Sequence, residues 1–135
     1  MNSNNPRPKQ IMFFLYTFIG GIVVSFLDFA LQIMGLSVQN SEFMTFGSFV
    51  LGGLIHMVFV WFIFKGKNWS RIIFSILTLA GIPYGIYIVS VEISGDILGG
   101  ISSIIQIVLA LSSVYFLFTK PSNRWFKDTK RLKSV

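Results

Sequence analysis

Four long apolar runs, separated by short polar breaks, make up most of this chain. They cover about 11–34, 43–64, 70–91 and 97–119, and a basic tail occupies 120–135. A transmembrane helix needs about 20 mostly apolar residues, and each run supplies them. Lipid offers no hydrogen-bond partner to an open sheet edge, so the runs are expected to be helices. The reading is an all-α membrane protein: one membrane domain, 1–135, of four transmembrane helices joined by short loops in an up-down-up-down bundle. The first run has the basic start and apolar core of a signal peptide. It is too long for one, and no small-x-small site follows it, so it is read as a retained helix.

Polar residues inside the runs are not scattered. Thr17, Gly21, Ser25, Asp28 and Gln32 recur at spacings of three and four, which places them on one face of the first helix. Thr45, Ser48, Gly52 and His56 do the same in the second, and Gly99, Ser103, Gln106, Ala110 and Ser113 in the fourth. The third has Thr78, Gly81 and Gly85, with Glu92 two turns on. Each helix thus pairs a lipid face with a small or polar face. Small residues let helix backbones approach and polar ones hydrogen-bond across the gap, so Gly21, Ser25, Gly52, Gly81, Gly85, Gly99 and Ser103 are expected at packing contacts. The same stripes also suit a semi-polar interior. Pro83, near the middle of the third run, removes a donor and crowds the carbonyl of Leu79, which predicts a kink.

Charge sharpens the picture. All eleven Lys and Arg fall in three places: the N-terminus, the 65–71 loop and the tail. The 35–42 and 92–96 loops hold none, and carry Glu42, Glu92 and Asp96. Short loops follow the positive-inside rule, so both termini are expected in the cytoplasm of a cell with this chain in its inner (plasma) membrane. The eleven positives with Asp128 on one side, and Asp28, Glu42, Glu92 and Asp96 on the other, account for the net +6. Trp61, Trp69 and Trp125 fall at the inner interface, where such rings anchor helices, together with Arg71 and Arg124. In the tail, Ser122 is expected to cap a short helix whose Trp125 and Phe126 enter the headgroup zone beside anionic lipid. Local signals mark helix ends: Ser41-Glu42 starts the second helix, Gly66 ends it, the Asn68-Trp69-Ser70-Arg71 turn caps the third, and Asp96 caps the fourth.

The overall composition agrees, with 53% hydrophobic and 12% charged residues and a mean hydropathy of +0.73. Excess Lys and Arg in such a chain are topology signals and lipid contacts, so no nucleic-acid partner is expected. There is no Cys and only one His, which leaves no thiolate chemistry and too few ligands for a zinc-type centre. No nucleophile elbow, phosphate loop, dinucleotide motif or lipidation signal occurs, so no enzyme and no cofactor is expected. Asp28 and His56 are the ionisable residues well inside a run, and intramembrane ionisable groups are functional candidates by default. They sit at depths that differ by about 10 Å, with Gln106 between and Gln32 one turn beyond Asp28.

In size, helix number and an acid in the first helix the chain resembles small multidrug-resistance transporters. Dual insertion, which that family implies, does not fit an eleven-to-none charge bias. A closer likeness lies in Gly66-Lys67-Asn68-Trp69-Ser70-Arg71, in Leu79-Ala80-Gly81-Ile82-Pro83 and in Lys120-Pro121-Ser122-Asn123-Arg124-Trp125-Phe126-Lys127. These resemble a group of small four-helix bacterial inner-membrane proteins of unassigned function, which implies location but no activity. Two readings follow. The first is a non-enzymatic protein acting through protein contacts, as an accessory or immunity-type subunit, with a membrane-protein partner or a second copy of itself. The second is a small transporter or channel using the semi-polar interior.

Overall fold

The computed structural model describes residues 6–35 and 46–132, without the side chains of Gln32, residues 46–49 and Leu132. Among these residues the chain is helical throughout, with no strand. The helices are α1 (Lys9–Ile33), α2 (Phe46–Phe64), α3 (Asn68–Gly95), α4 (Ile97–Leu117) and α5 (Lys120–Leu132). Three of them, α1, α3 and α4, are long and apolar enough to cross a membrane. Their outer faces fit that setting: Phe26, Ile76, Ile86 and Val108 are each more than half exposed. Apolar exposure on this scale is not tolerated in water.

One buried cluster ties the elements together. It takes Ile11 and Phe14 from the start of α1, Ile63 from the end of α2, Phe74 from the start of α3 and Leu117 from the end of α4. Trp125 and Phe126 of α5 complete it. N-terminal parts of α1 and α3 thus meet C-terminal parts of α2 and α4, so consecutive long helices run in opposite directions. This end also carries Lys65, Lys67, Arg71 and α5, and we refer to it as the basic end. The opposite, acidic end carries Asp28, Glu92 and Asp96.

The order of packing differs from the order in sequence. α4 is central and packs against both α1 and α3, while α2 packs on the far side of α3. Among the described residues α1 and α2 share no comparable interface.

Several ends follow local chemistry. Gly66 stops α2 in a left-handed conformation, φ 71°, as its N–H donates to the Ile63 carbonyl and that of Lys67 to the Phe62 carbonyl. A single residue, Asp96, separates α3 from α4. Its carboxylate accepts from the Gly99 N–H at 3.1 Å, the expected N-cap. Gly100 makes the sharp junction feasible, since a Cβ there would meet the backbone nitrogen of Ile93 at 3.1 Å. α3 is longer than the apolar run at both ends. Asn68-Trp69-Ser70-Arg71 forms its first turn rather than a side-chain cap: Lys67 holds the cap position with no side-chain bond, and the Ser70 hydroxyl donates back to the Lys67 carbonyl at 2.6 Å. The helix runs through Pro83 without a break. The expected start of α2 at Ser41-Glu42 lies outside the described residues.

α5 departs most from the tail expected of the sequence. Ser122 does not cap it, because the helix begins at Lys120 and the Ser122 hydroxyl donates to the Phe116 carbonyl at 2.7 Å. Ser122, Trp125, Phe126 and Thr129, at spacings of three, one and three, form the face turned onto the other helices, while Arg124, Lys127 and Arg131 stay exposed. Trp125 and Phe126 are therefore buried in protein, Phe126 at 1% exposure, not placed in a headgroup layer.

Candidate functional site

Where α1 and α2 share no comparable interface, the helices line an open cavity of about 690 Å³. All four long helices line it. α1 contributes Thr17, Gly21, Ser25 and Asp28, and α2 Gly52, Gly53 and His56. α3 adds Thr78, Gly81, Gly85 and Glu92, and α4 adds Ser103, Gln106 and Ser113. These are most of the stripe residues read from the sequence, now facing one space; Gly99 does not line it, and Thr45 and the side chains of Ser48 and Gln32 lie outside what is described. Among the described residues the cavity lies between α1 and α2, which share no comparable interface, and Phe18 and Phe74 line it toward the basic end.

Glycines create this space. Gly21, Gly52, Gly53 and Gly81 would each carry a Cβ with no described atom within 4 Å. Expected at packing contacts, Gly21, Gly52 and Gly81 border the cavity instead, because α1 and α2 are held apart by α4 and α3. Gly85 does approach a neighbour, Ile107 of α4, at 3.4 Å from its would-be Cβ. Gly99 meets its own cap residue Asp96 and the Glu92 side chain.

The acidic end of the cavity holds two carboxylates, one on each side of α4. The Ser102 hydroxyl donates to Asp28 Oδ1 at 3.0 Å, and the Ser103 hydroxyl to Glu92 Oε2 at 2.7 Å. Consecutive helical residues point about 100° apart, so this serine pair reaches α1 with one hydroxyl and α3 with the other. Glu92 also lies near enough to Asp28 and Asp96 for their charges to interact. Read from sequence as a loop acid, Glu92 belongs to the last turns of α3 and lines the cavity. The signal was its position seven residues after Gly85, two turns along the same face. Ser102 was missed: it lies off the α4 stripe, and nothing in its neighbourhood marks it as a partner of Asp28.

Deeper in, His56 Nδ1 lies 2.9 Å from the Gly52 carbonyl, one turn earlier on α2, so that nitrogen carries a proton. Its ring meets Phe74 edge to face at a centroid distance of 5.4 Å. Thr17 and Ser113 hydroxyls, 2.8 Å apart, join α1 to α4 at the cavity floor. The Ser25 and Thr78 hydroxyls donate to carbonyls four residues back in their own helices. Asp28, His56 and Gln106 therefore share one space while sitting on three helices. The Gln32 side chain lies outside what the structure describes. Among the described residues no group of three or more His, Asp or Glu is arranged to hold a metal ion.

Below the floor, Arg71 joins three elements. Expected as an interface anchor, it is 9% exposed, because Ser70, Arg71, Phe74 and Ser75 form the inward face of the first turns of α3. Its Nη1 donates to the Leu117 carbonyl at 3.0 Å, at the C-terminus of α4 where carbonyls lack helical partners, and to Asn123 Oδ1 of α5 at 2.6 Å. The guanidinium also stacks over Phe126 and Phe118, at 4.5 and 5.0 Å from the ring centroids. Trp61 and Trp69, by contrast, are well exposed at this end, and the Lys65 ammonium lies 3.3 Å from the Trp61 ring centroid. Arg124 is exposed on α5 and Trp125 is buried.

No family model, curated protein or solved structure matches this chain.

Proposed function

We propose that this chain is a non-enzymatic, carrier-type protein of the bacterial inner membrane whose helices frame a binding cavity for a small, membrane-partitioning molecule. In this reading α2 is a fourth span, the four long helices form an up-down-up-down bundle, and the basic end with both termini lies in the cytoplasm. The eleven-to-none distribution of Lys and Arg supports that orientation, and the likeness of the Gly66–Arg71 and Lys120–Lys127 segments to small inner-membrane proteins supports the location. The observation that carries the function is the cavity itself. Its volume of about 690 Å³ is that of a site for a small organic molecule, and a few polar groups converge in mostly apolar walls. The Phe18 and Phe74 rings that line the cavity toward the basic end favour a carrier over an open channel.

A second reading has a specific observation behind it. Gly52 and Gly53 leave α2 with a small-residue surface that no described atom covers, a surface suited to a helix of a partner membrane protein. The chain would then be an accessory or immunity-type subunit.

Because the chain has no Cys, single-cysteine variants separate the two. Ser25→Cys and Thr78→Cys are expected to react with a small methanethiosulfonate both in native membranes and after purification, while the buried Ser75→Cys and Ser122→Cys do not. Protection of the first pair in native membranes alone would favour the partner-helix reading. Protection of both in both settings would contradict the cavity.

A further inference from the structure

We infer that the cavity takes a neutral molecule with a hydroxyl group on an apolar body, the hydroxyl donating to His56 and accepting from Gln106; this assignment of a ligand class rests on the cavity reading above. Most polar groups along the wall are already matched within the chain. Thr17 and Ser113 meet each other, and Ser25 and Thr78 donate to carbonyls of their own helices. Asp28 and Glu92 are engaged by Ser102 and Ser103 at the acidic end.

Two groups of the lining are left over. His56 makes one hydrogen bond, from Nδ1 to the Gly52 carbonyl, so Nε2 of the neutral ring remains as an acceptor. The Gln106 carboxamide, with two N–H donors and a carbonyl, has no hydrogen-bond partner among the described residues. Both side chains are half-buried. The Tyr84 hydroxyl is also unmatched, but Tyr84 is 43% exposed and its ring packs beside Tyr87, which does not line the cavity. His56 lies eight residues before the end of α2 and Gln106 eleven before the end of α4, both counted from the basic end. Their depths in the cavity therefore differ by about 5 Å, one helical turn.

A hydroxyl matches this pair. Its O–H donates to His56 Nε2 while its oxygen accepts from the Gln106 N–H. A ketone or ether accepts only and leaves Nε2 without a donor, and a hydrocarbon leaves both groups unmatched in an apolar wall, where unmade hydrogen bonds are costly. The remaining lining, including Phe18, Phe29 and Phe74, is aromatic and aliphatic and suits an uncharged apolar body.

The test is equilibrium dialysis against lipid nanodiscs with and without the full chain, which subtracts partition into lipid. The probes are para-phenylphenol, its methyl ether and biphenyl. The phenol is expected to bind saturably, about tenfold tighter than the ether, by the worth of one hydrogen bond left unmade in an apolar site. His56→Phe keeps a ring against Phe74 and removes the acceptor, so the phenol should fall to the level of the ether. Gln106→Leu removes the donor and should weaken phenol and ether alike while biphenyl is unchanged. Gly52→Leu, whose new side chain enters open space, should weaken all three by filling the site. Equal binding of the three probes, or a preference for the phenol that survives both His56→Phe and Gln106→Leu, with binding still abolished by Gly52→Leu, would overturn the hydroxyl assignment and leave the cavity reading intact. No binding of any probe to a chain that still unfolds cooperatively would overturn both.

Discussion

At the basic end, five helices bury Phe14, Ile63, Phe74, Leu117, Trp125 and Phe126 in one cluster, with the Arg71 guanidinium against the Phe118 and Phe126 rings. At the acidic end, the same long helices leave Gly21, Gly52 and Gly81 facing open space, and carboxylates meet serines. Polar and charged residues occur at both ends, so hydrophobicity alone does not explain the difference. Side-chain size does. Phenylalanines concentrate toward the basic end and fill it, while glycine and serine stripes run toward the acidic end and hold it open. Dense packing at one end lets the other stay unfilled, since a cavity costs contact energy that has to be offset elsewhere.

The largest effect should come from breaking the dense end. Arg71→Ala removes hydrogen bonds to Leu117 and Asn123 and the stacking on Phe126, leaving the Leu117 carbonyl without this donor. Loss of about 3 kcal/mol is expected, by the scale of buried hydrogen bonds to charged groups. In detergent this should appear as a marked fall in Tm and faster tryptic cleavage of α5, at Lys127 and Lys130. Arg71→Lys should recover only part of it, because a single ammonium cannot both donate to two elements and stack flat on a ring.

Next come the glycines that are filled rather than open. Gly100→Ala presses a methyl against the Ile93 backbone and should cost about 1–3 kcal/mol, as overpacking does. Gly66→Ala forces a residue with a Cβ to keep φ near 71°, and its Cβ would sit 2.5 Å from the Thr129 methyl. A loss of about 1 kcal/mol is expected, with loosening of α5 visible as faster hydrogen exchange there. Smaller still, Ser102→Ala and Ser103→Ala each remove one hydrogen bond and should cost about 1 kcal/mol or less in stability.

Much of this architecture was legible. Helix ends signalled by one residue, Gly66 and Asp96, came out where local chemistry put them, since a left-handed turn and an N-cap depend on nothing distant. The limits of α1 and α4 follow hydropathy to within about two residues. Three features were not legible, each for a physical reason. Hydropathy ended the third run at its first acid, so Glu92 looked like a loop residue although its helical register pointed inward. A basic helix with Trp and Phe on one face has the same pattern whether that face meets lipid or protein, so α5 was read as a surface anchor. A stripe of glycine and serine looks identical at a tight contact and at the wall of a void, and only the separation of α1 from α2 distinguishes the two.

That last ambiguity is the centre of the account, and unfolding of two variants followed by tryptophan fluorescence tests it directly. If Gly52 faces a cavity, Gly52→Leu should leave Tm unchanged or slightly raised while Gly100→Ala lowers it by several degrees, on the order of 1 kcal/mol or more for a chain of this size. If Gly52→Leu lowers Tm as much as Gly100→Ala does, the small-residue face is a packing surface and the cavity account is wrong.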